Sequence, residues 1–174
     1  MSLIVLIGVT GSGKTTVGRL LAQRYHLPLR ETDDAVEERL GASMRTLVVG
    51  RDPHLAITAR EEAERLLRLD KGIVTLGASQ PLDSATASAI HDARTRGAVV
   101  VELSADLSAV SRRENLGVPR SVGLGAPRAV LTQLMRQARV VYEAVADTTV
   151  DTSVLTPQEV ADEVARACKL TPDY

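Results

Sequence analysis

Short apolar runs alternate with longer segments in which apolar residues recur every three or four positions. The runs predict five strands, and the longer segments predict helices between them. The predicted strands cover residues 3–7, a short segment ending near Glu31, and residues 73–76, 98–103 and 148–151. Strands that alternate with helices are typical of a parallel sheet. We therefore expect an α/β fold with a five-stranded parallel sheet and helices on both faces.

The predicted helices have recognisable ends. Thr32 or Asp33 is a candidate cap for the second helix, and Thr156-Pro157 supplies a cap and a first residue for the last one. The predicted helices cover residues 14–25, 33–40, 44–49, 52–67, 83–94, 106–113, 128–145 and 156–168. No repeat or linker interrupts this pattern, so we expect residues 1–174 to form a single domain.

Composition narrows the possible classes of protein. Hydrophobic residues make up 44% of the chain, yet it has no Phe and no Trp, so the core must be aliphatic. The net charge of −1 gives no general attraction to nucleic acids or membranes. Cys168 is the single cysteine, which excludes an internal disulfide. We expect a cytoplasmic monomer that binds neither nucleic acid nor membrane.

The stretch from Gly8 to Thr15 carries the strongest chemical signal. It reads G-x-x-x-x-G-K-T, the Walker A pattern, and it lies between a predicted strand and a predicted helix. Its glycines let the backbone wrap a phosphate, while Lys14 reaches the terminal phosphates and Thr15 binds Mg²⁺. A glycine turn before an ordinary helix is the alternative, but the full pattern favours ATP. The predicted nucleotide-binding residues are Gly8, Gly11, Ser12, Gly13, Lys14, Thr15 and Thr16.

Further polar stretches are predicted at the same edge of the sheet, where the carboxyl ends of parallel strands bind ligands. In Glu31-Thr32-Asp33-Asp34, one carboxylate can hold Mg²⁺ and another can accept the proton of a substrate hydroxyl. The same acids can instead serve only as cap and first-turn residues of a helix. Residues 77–80 follow the next strand and complete this edge.

A glycine-rich stretch at about residues 114–126 predicts a mobile lid. Arg112, Arg113, Arg120 and Arg128 lie in and around it. In a small phosphotransferase such arginines stack on adenine or contact the transferring phosphoryl group. The alternative is that they are solvated loop charges.

With these pieces placed, the chain resembles the shikimate kinases, a family of nucleoside-monophosphate-kinase-like P-loop proteins, over about residues 3–165. Residues 31–37 stand in the place of the family's D-x-D-x-x-[IV]-E element, with Glu31 replacing its first Asp. The resemblance implies that Asp33 contacts the acceptor hydroxyls and acts as the base, and that Glu31 holds Mg²⁺ through water. It also implies that Arg120 is the lid arginine.

Further site residues follow from the same resemblance. Arg113 matches the arginine that stacks on adenine, and Pro157 matches a proline that flanks adenine. The family's Gly-Gly-Gly after the third strand is replaced by Gly77-Ala78-Ser79, which we expect to contact the acceptor.

The departures from the family concern its carboxylate-binding arginines. Thr58 and Ala138 stand where two such arginines are expected. Arg60 and Arg139 are close in sequence but are displaced by about 200° and about 100° around their helices.

The sequence therefore predicts a kinase that uses ATP and Mg²⁺ to phosphorylate a small hydroxylated metabolite. Lys14, Asp33 and Arg120 are its predicted catalytic residues. One alternative is that the acceptor is a metabolite other than shikimate. Another is a nucleotide-binding regulatory protein that has lost phosphoryl transfer.

Overall fold

The fold is built around a parallel sheet of five strands. The structure is a computed structural model, and it describes residues 2–113 and 128–171, with side chains from 132 onwards in the second range. The strands are β1 (Leu3–Ile7), β2 (Leu29–Glu31), β3 (Gly72–Thr75), β4 (Val99–Ser104) and β5 (Thr148–Asp151). Their spatial order is β2-β3-β1-β4-β5, and every pairing is parallel. The predicted fold class is thus confirmed.

Helices connect the strands as the sequence pattern predicts. They are α1 (Lys14–Arg24), α2 (Thr32–Leu40), α3 (Met44–Val49), α4 (Leu55–Leu67), α5 (Ser84–Thr95), α6 (Leu107–Arg113), α7 (Arg128–Val145) and α8 (Pro157–Ala167). A short 3-10 turn, Gln80–Leu82, precedes α5 and was not predicted.

Two helix starts differ from the prediction. The prediction that Thr32 or Asp33 caps α2 is wrong, because α2 already begins at Thr32 and Glu31 occupies the cap position. The helix α4 begins at Leu55 rather than at Asp52. At α8 the prediction is confirmed, since Thr156 accepts a hydrogen bond from the Glu159 amide in a full capping box.

The sheet has an aliphatic core on each face. Alternate residues of β1 point to opposite faces, so that Val5 belongs to one core and Leu6 to the other. Helices α4, α5 and α7 pack on the first face, and α1 and α8 pack on the second. Because β1 is the central strand, the loop that follows it lies at the middle of the carboxyl edge of the sheet.

Some predictions concern features that the described residues do not cover. The predicted lid at about 114–126, including Arg120, lies outside the described residues. None of the helices in the described ranges is long and apolar enough to cross a membrane. The single domain and the monomeric state stay predictions.

Candidate active site

The loop after β1 adopts a conformation that requires glycine. Gly8, Gly11 and Gly13 have φ angles of 143°, 77° and 101°, a region that side-chain-bearing residues rarely adopt. A Cβ atom on Gly8 would lie 2.3 Å from the carbonyl oxygen of Leu103. Gly13 caps α1, so the first amides of that helix face the loop. This geometry suits an anion such as phosphate.

Two side chains place polar groups within this loop. Lys14 Nζ donates hydrogen bonds to the carbonyl oxygens of Gly8, at 2.8 Å, and Val9, at 3.0 Å. The Ser12 hydroxyl is buried, and within the described residues it has no hydrogen-bond partner. A charged amine and an unsatisfied hydroxyl in a glycine loop fit a phosphate-containing ligand.

Arg113 and Pro157, the two residues expected to contact adenine, lie at the end of α6 and at the start of α8. Arg113 Nη1 donates to the hydroxyl of Thr152 at 2.9 Å and to the carbonyls of Gly11 and Ser12 at 3.4 Å each. Arg113 thus joins the end of α6 to the phosphate loop. Pro157 is the first residue of α8. Their contacts with adenine stay predictions.

The candidate metal ligands lie between β2 and α1. Thr15 Oγ1 donates to Glu31 Oε2 at 2.6 Å, and Arg19 is 3.5 Å from Glu31 Oε1. Within the described residues, no group of three or more His, Cys, Asp or Glu side chains is arranged to hold a metal ion. Mg²⁺ commonly takes one or two protein ligands and completes its shell with phosphate oxygens and water. Thr15 and Glu31 therefore fit a nucleotide-bound Mg²⁺.

Asp33 lies beside the predicted acceptor loop. A Cβ atom on Gly77 would lie 2.7 Å from Asp33 Oδ1, so the Asp33 carboxyl packs directly against this part of the loop. Asp33 is exposed to solvent, yet the surrounding protein removes enough water from its carboxyl group to raise the pKa of that group. Lys14 lowers this pKa and Glu31 raises it, which places Asp33 within the electrostatic reach of both.

Gln80 fixes the acceptor loop and was missed by the sequence reasoning. Its Oε1 accepts hydrogen bonds from the Gly77 amide at 2.7 Å and the Thr32 hydroxyl at 2.6 Å. Its Nε2 donates to the carbonyl of Ala59 on α4 at 3.1 Å. The sequence offered one signal for this role: Gln80 ends the stretch 77–80, and a side-chain amide that is buried there must find several hydrogen-bond partners.

Tyr142 fixes the next residue of that loop. Its hydroxyl donates to the carbonyl of Ala78 at 2.6 Å, and its ring is buried in the core against α5 and the sheet. Burial raises the pKa of this hydroxyl. No role was predicted for this hydroxyl from the sequence. A buried tyrosine in a chain with almost no aromatic residues was the signal, since such hydroxyls need a partner.

The positions of the expected carboxylate-binding arginines are buried. Thr58 is 4% exposed and Ala138 is 8% exposed. Arg60 cannot easily replace them, because its guanidinium holds both carboxylate oxygens of Asp83, at 2.6 Å and 3.1 Å. Arg139 is paired with Glu143 at 2.8 Å.

The structure thus brings together most of the predicted site. Lys14, Thr15, Glu31 and Asp33 meet at the carboxyl edge of the sheet, with Gly77 beside them. Thr16 lies in the first turn of α1, and Ser79 precedes the 3-10 turn.

Comparison with known proteins assigns the family. The sequence model of shikimate kinase matches residues 10–169. The chain belongs to the shikimate kinase family. Among its relatives, the shikimate kinase of Thermobifida fusca is 36% identical over 94% of this chain and 93% of its own length. That of Salinispora tropica is 37% identical over 92% of this chain and 94% of its own length.

Solved structures show the same fold. A shikimate kinase from Acinetobacter baumannii in complex with shikimate superposes with a TM-score of 0.77, over 98% of this chain and 96% of that one, at 21% identity. The family assignment makes the chain an ATP-dependent kinase that phosphorylates a hydroxyl group of a small metabolite, as the sequence predicts. It favours this activity over the regulatory alternative.

Proposed function

We propose that this kinase uses Mg²⁺-bound ATP and that its acceptor is a hydroxylated metabolite other than shikimate. The observation that carries the catalytic part is the position of Asp33. Its carboxylate lies against Gly77 of the acceptor loop and within the electrostatic reach of Lys14. An acceptor hydroxyl between Asp33 and Lys14 would therefore be next to both a base and the terminal phosphate.

Each residue then has a defined task. Lys14 leaves its backbone carbonyl partners and binds the terminal phosphates. Thr15 and Glu31 would hold Mg²⁺, which neutralises phosphate charge when bound. Asp33 takes the proton of the acceptor hydroxyl as that oxygen bonds to the terminal phosphorus and ADP leaves. By resemblance to the family, Arg120 would contact the transferring group. The adenine is held by Arg113 and Pro157.

The acceptor part of the proposal depends on two missing cations. A charge-assisted contact between Arg and a carboxylate contributes on the order of 1.5–3 kcal/mol. With Thr58 and Ala138 in place of two arginines, shikimate would lose about 3–6 kcal/mol, or roughly 10²–10⁴ in affinity. The nearest arginine on α4, Arg60, is held by Asp83.

A coupled ADP-release assay with millimolar shikimate tests this proposal. The shikimate kinase of Thermobifida fusca serves as the positive control. We expect kcat/KM for shikimate below about 10⁴ M⁻¹s⁻¹, the lower end of the ordinary enzyme range. A value within that range would make shikimate the acceptor after all. Asp33→Asn should abolish whatever acceptor-dependent release the wild type shows.

A further inference from the structure

Three polar groups beside the acceptor loop form a closed ring of hydrogen bonds. The Gln80 amide oxygen accepts from the Thr32 hydroxyl at 2.6 Å and from the Gly77 amide at 2.7 Å. The Gly77 amide also donates to the Thr32 oxygen at 3.0 Å, so each member contacts the other two. Thr32 is fully buried, and Gln80 is only 6% exposed. Because a buried polar network with paired members is rigid, this ring fixes the elements that carry it relative to one another.

The ring connects separate elements of the acceptor side. Thr32 is the first residue of α2, Gly77 lies in the loop after β3, and Gln80 begins the 3-10 turn. The other end of the Gln80 side chain reaches α4, where Nε2 donates to the Ala59 carbonyl at 3.1 Å. Two donors at one end and a carbonyl at the other leave a single orientation of the amide that satisfies every partner.

The position of Thr32 in the chain gives the ring a link to the chemistry. Thr32 lies between Glu31, the candidate metal ligand, and Asp33, the candidate base. Its side chain points inwards to Gln80, whereas Asp33 is exposed to solvent. A bond that fixes the Thr32 side chain therefore restrains the backbone from which the Asp33 carboxyl projects.

A second link passes through Gly77. A Cβ atom on this glycine would lie 2.7 Å from Asp33 Oδ1 and 3.5 Å from Gln80 Oε1. The Asp33 carboxyl and the Gln80 amide thus border the same point of the loop. Since Gln80 accepts from the Gly77 amide, it also fixes the surface against which the Asp33 carboxyl packs.

We propose that Gln80 is a positioning residue for phosphoryl transfer, which holds Asp33 in place through Thr32 on one side and Gly77 on the other. This inference rests on the proposed function, because it takes Asp33 as the base. A general base must lie within hydrogen-bond reach of the proton that it removes, and a displacement of about 1 Å can cost roughly 10²-fold in rate. Within the described residues, none of the hydrogen-bond partners of Gln80 belongs to the phosphate loop, so nucleotide binding does not depend on it.

Two substitutions break the ring, and one keeps it. Gln80→Met keeps the length of the side chain but removes its hydrogen bonds. Thr32→Val removes the hydroxyl and keeps the branched shape, whereas Thr32→Ser keeps the hydroxyl. Val164→Ala is the stability control, because it shortens a fully buried side chain of α8 in the core on the opposite face of the sheet from α4.

The deciding measurement needs no acceptor. With Mg²⁺ and ADP bound, three-bond NMR couplings to the Asp33 Cγ from its own backbone nitrogen and carbonyl carbon report whether the side chain keeps one χ1 rotamer. We expect one predominant rotamer in the wild type, Thr32→Ser and Val164→Ala, and averaged couplings in Gln80→Met and Thr32→Val. The ADP affinity of all five proteins, measured by calorimetry, should agree within about twofold.

Three results would overturn the inference. They are averaged couplings already in the wild type, one predominant rotamer in both variants that break the ring, and averaged couplings in Val164→Ala to the same extent as in those variants. The last result would mean that the Asp33 rotamer follows overall stability rather than the ring.

Turnover separates this inference from the proposed function. With millimolar shikimate as the probe, Gln80→Met and Thr32→Val should lower kcat about 10–100-fold at an unchanged KM for ATP, and Thr32→Ser should restore most of the rate. If the Asp33 rotamer is released but kcat is unchanged, Gln80 positions Asp33 and the proposed role of Asp33 as base fails. If kcat falls while Asp33 keeps one rotamer, the reaction stands and the positioning inference fails. The rotamer measurement decides the inference even if shikimate causes no ADP release.

Discussion

The Thr15 hydroxyl donates a 2.6 Å hydrogen bond to the carboxylate of Glu31, although β1 and β2 are not neighbours in the sheet. The intervening strand β3 contributes Thr75, whose hydroxyl lies 3.4 Å from the same carboxylate oxygen. This contact links the start of α1 to the end of β2. It places two oxygen ligands beside the loop that would hold the phosphates.

Replacing Glu31 should therefore weaken the binding of Mg²⁺. In Glu31→Gln we expect the Mg²⁺ concentration for half-maximal activity to rise about tenfold, because a carboxylate binds this ion more strongly than an amide does. Titrating Mg²⁺ at saturating ATP gives this value. Glu38→Gln, an exposed position on α2, is the matched control. Identical Mg²⁺ curves for all three proteins would exclude Glu31 from the metal site.

Lys14→Ala should weaken ATP binding more than ADP binding. Lys14 Nζ donates hydrogen bonds to two backbone carbonyls of the loop. From this position it can reach the terminal phosphate. A charge-assisted hydrogen bond contributes about 1.5–3 kcal/mol, so ATP affinity should fall about 10–100-fold. Calorimetry with both nucleotides measures the two losses. Equal losses would mean that Lys14 binds only the phosphates that ATP and ADP share.

The fold was largely predictable because its signals are local. The run Leu3–Ile7, the glycine loop after it, and the Thr156-Pro157 start of α8 all lie where the pattern predicts. In contrast, the predicted cap of α2 was wrong. Thr32 resembles a cap in sequence, but its hydroxyl instead accepts from the Gly77 amide at 3.0 Å. That partner lies in the loop after β3, which a local pattern does not contain.

The nucleotide half of the site was more predictable than the acceptor half. Lys14 and Thr15 belong to one motif, whereas Gln80 and Tyr142 act through contacts between distant elements. The Tyr142 hydroxyl meets Ala78 across 64 positions of sequence. Such pairings depend on strand order, which the sequence pattern did not provide.

Asp33→Asn should stabilise the protein at neutral pH while it removes activity. Burial raises the pKa of Asp33, so the folded protein binds this proton more tightly than the unfolded chain does. Stability of the wild type therefore falls as pH rises from near 4 through the raised pKa, and the variant escapes that loss. We expect a higher Tm for the variant at pH 7, a difference that shrinks towards pH 4, and turnover reduced about 10²-fold or more.

The control for this prediction is Asp34→Asn, because Asp34 is the exposed neighbour of Asp33 on α2. It should leave turnover unchanged. If Asp33→Asn kept full turnover, the base would have to be another group.

Tyr142→Phe should loosen the acceptor loop. The change removes the 2.6 Å hydrogen bond to the Ala78 carbonyl but leaves the buried ring in place. We expect a loss of about 1 kcal/mol, or about 2–4 °C in Tm, and faster amide hydrogen exchange in residues 77–79. Tyr25→Phe, in the core on the opposite face of the sheet, is the control. Unchanged exchange in the loop would show that the hydroxyl does not restrain it.

Arg60→Ala should affect stability but not acceptor binding. Arg60 holds Asp83 with two hydrogen bonds, and Asp83 caps α5 by accepting from the Thr86 amide at 2.9 Å. This environment lowers the pKa of Asp83 to about 2, so the contact stabilises the fold above about pH 4 and is lost as pH falls towards 2. Because Arg60 is 46% exposed, solvent screens this contact, and we expect only a small loss of stability at pH 7.

Arg139→Ala is the counterpart, because Arg139 is the other arginine close to an expected carboxylate-binding position and is paired with Glu143 at 2.8 Å. We expect neither variant to change acceptor binding, since each guanidinium is held by a neighbouring carboxylate. The informative comparison is the shikimate KM of both variants. If Arg60→Ala raised the shikimate KM tenfold in a folded protein, Arg60 would leave Asp83 when substrate binds and serve as a relocated carboxylate ligand. Shikimate would then be recognised through its carboxylate, and the proposal of an acceptor other than shikimate would fail.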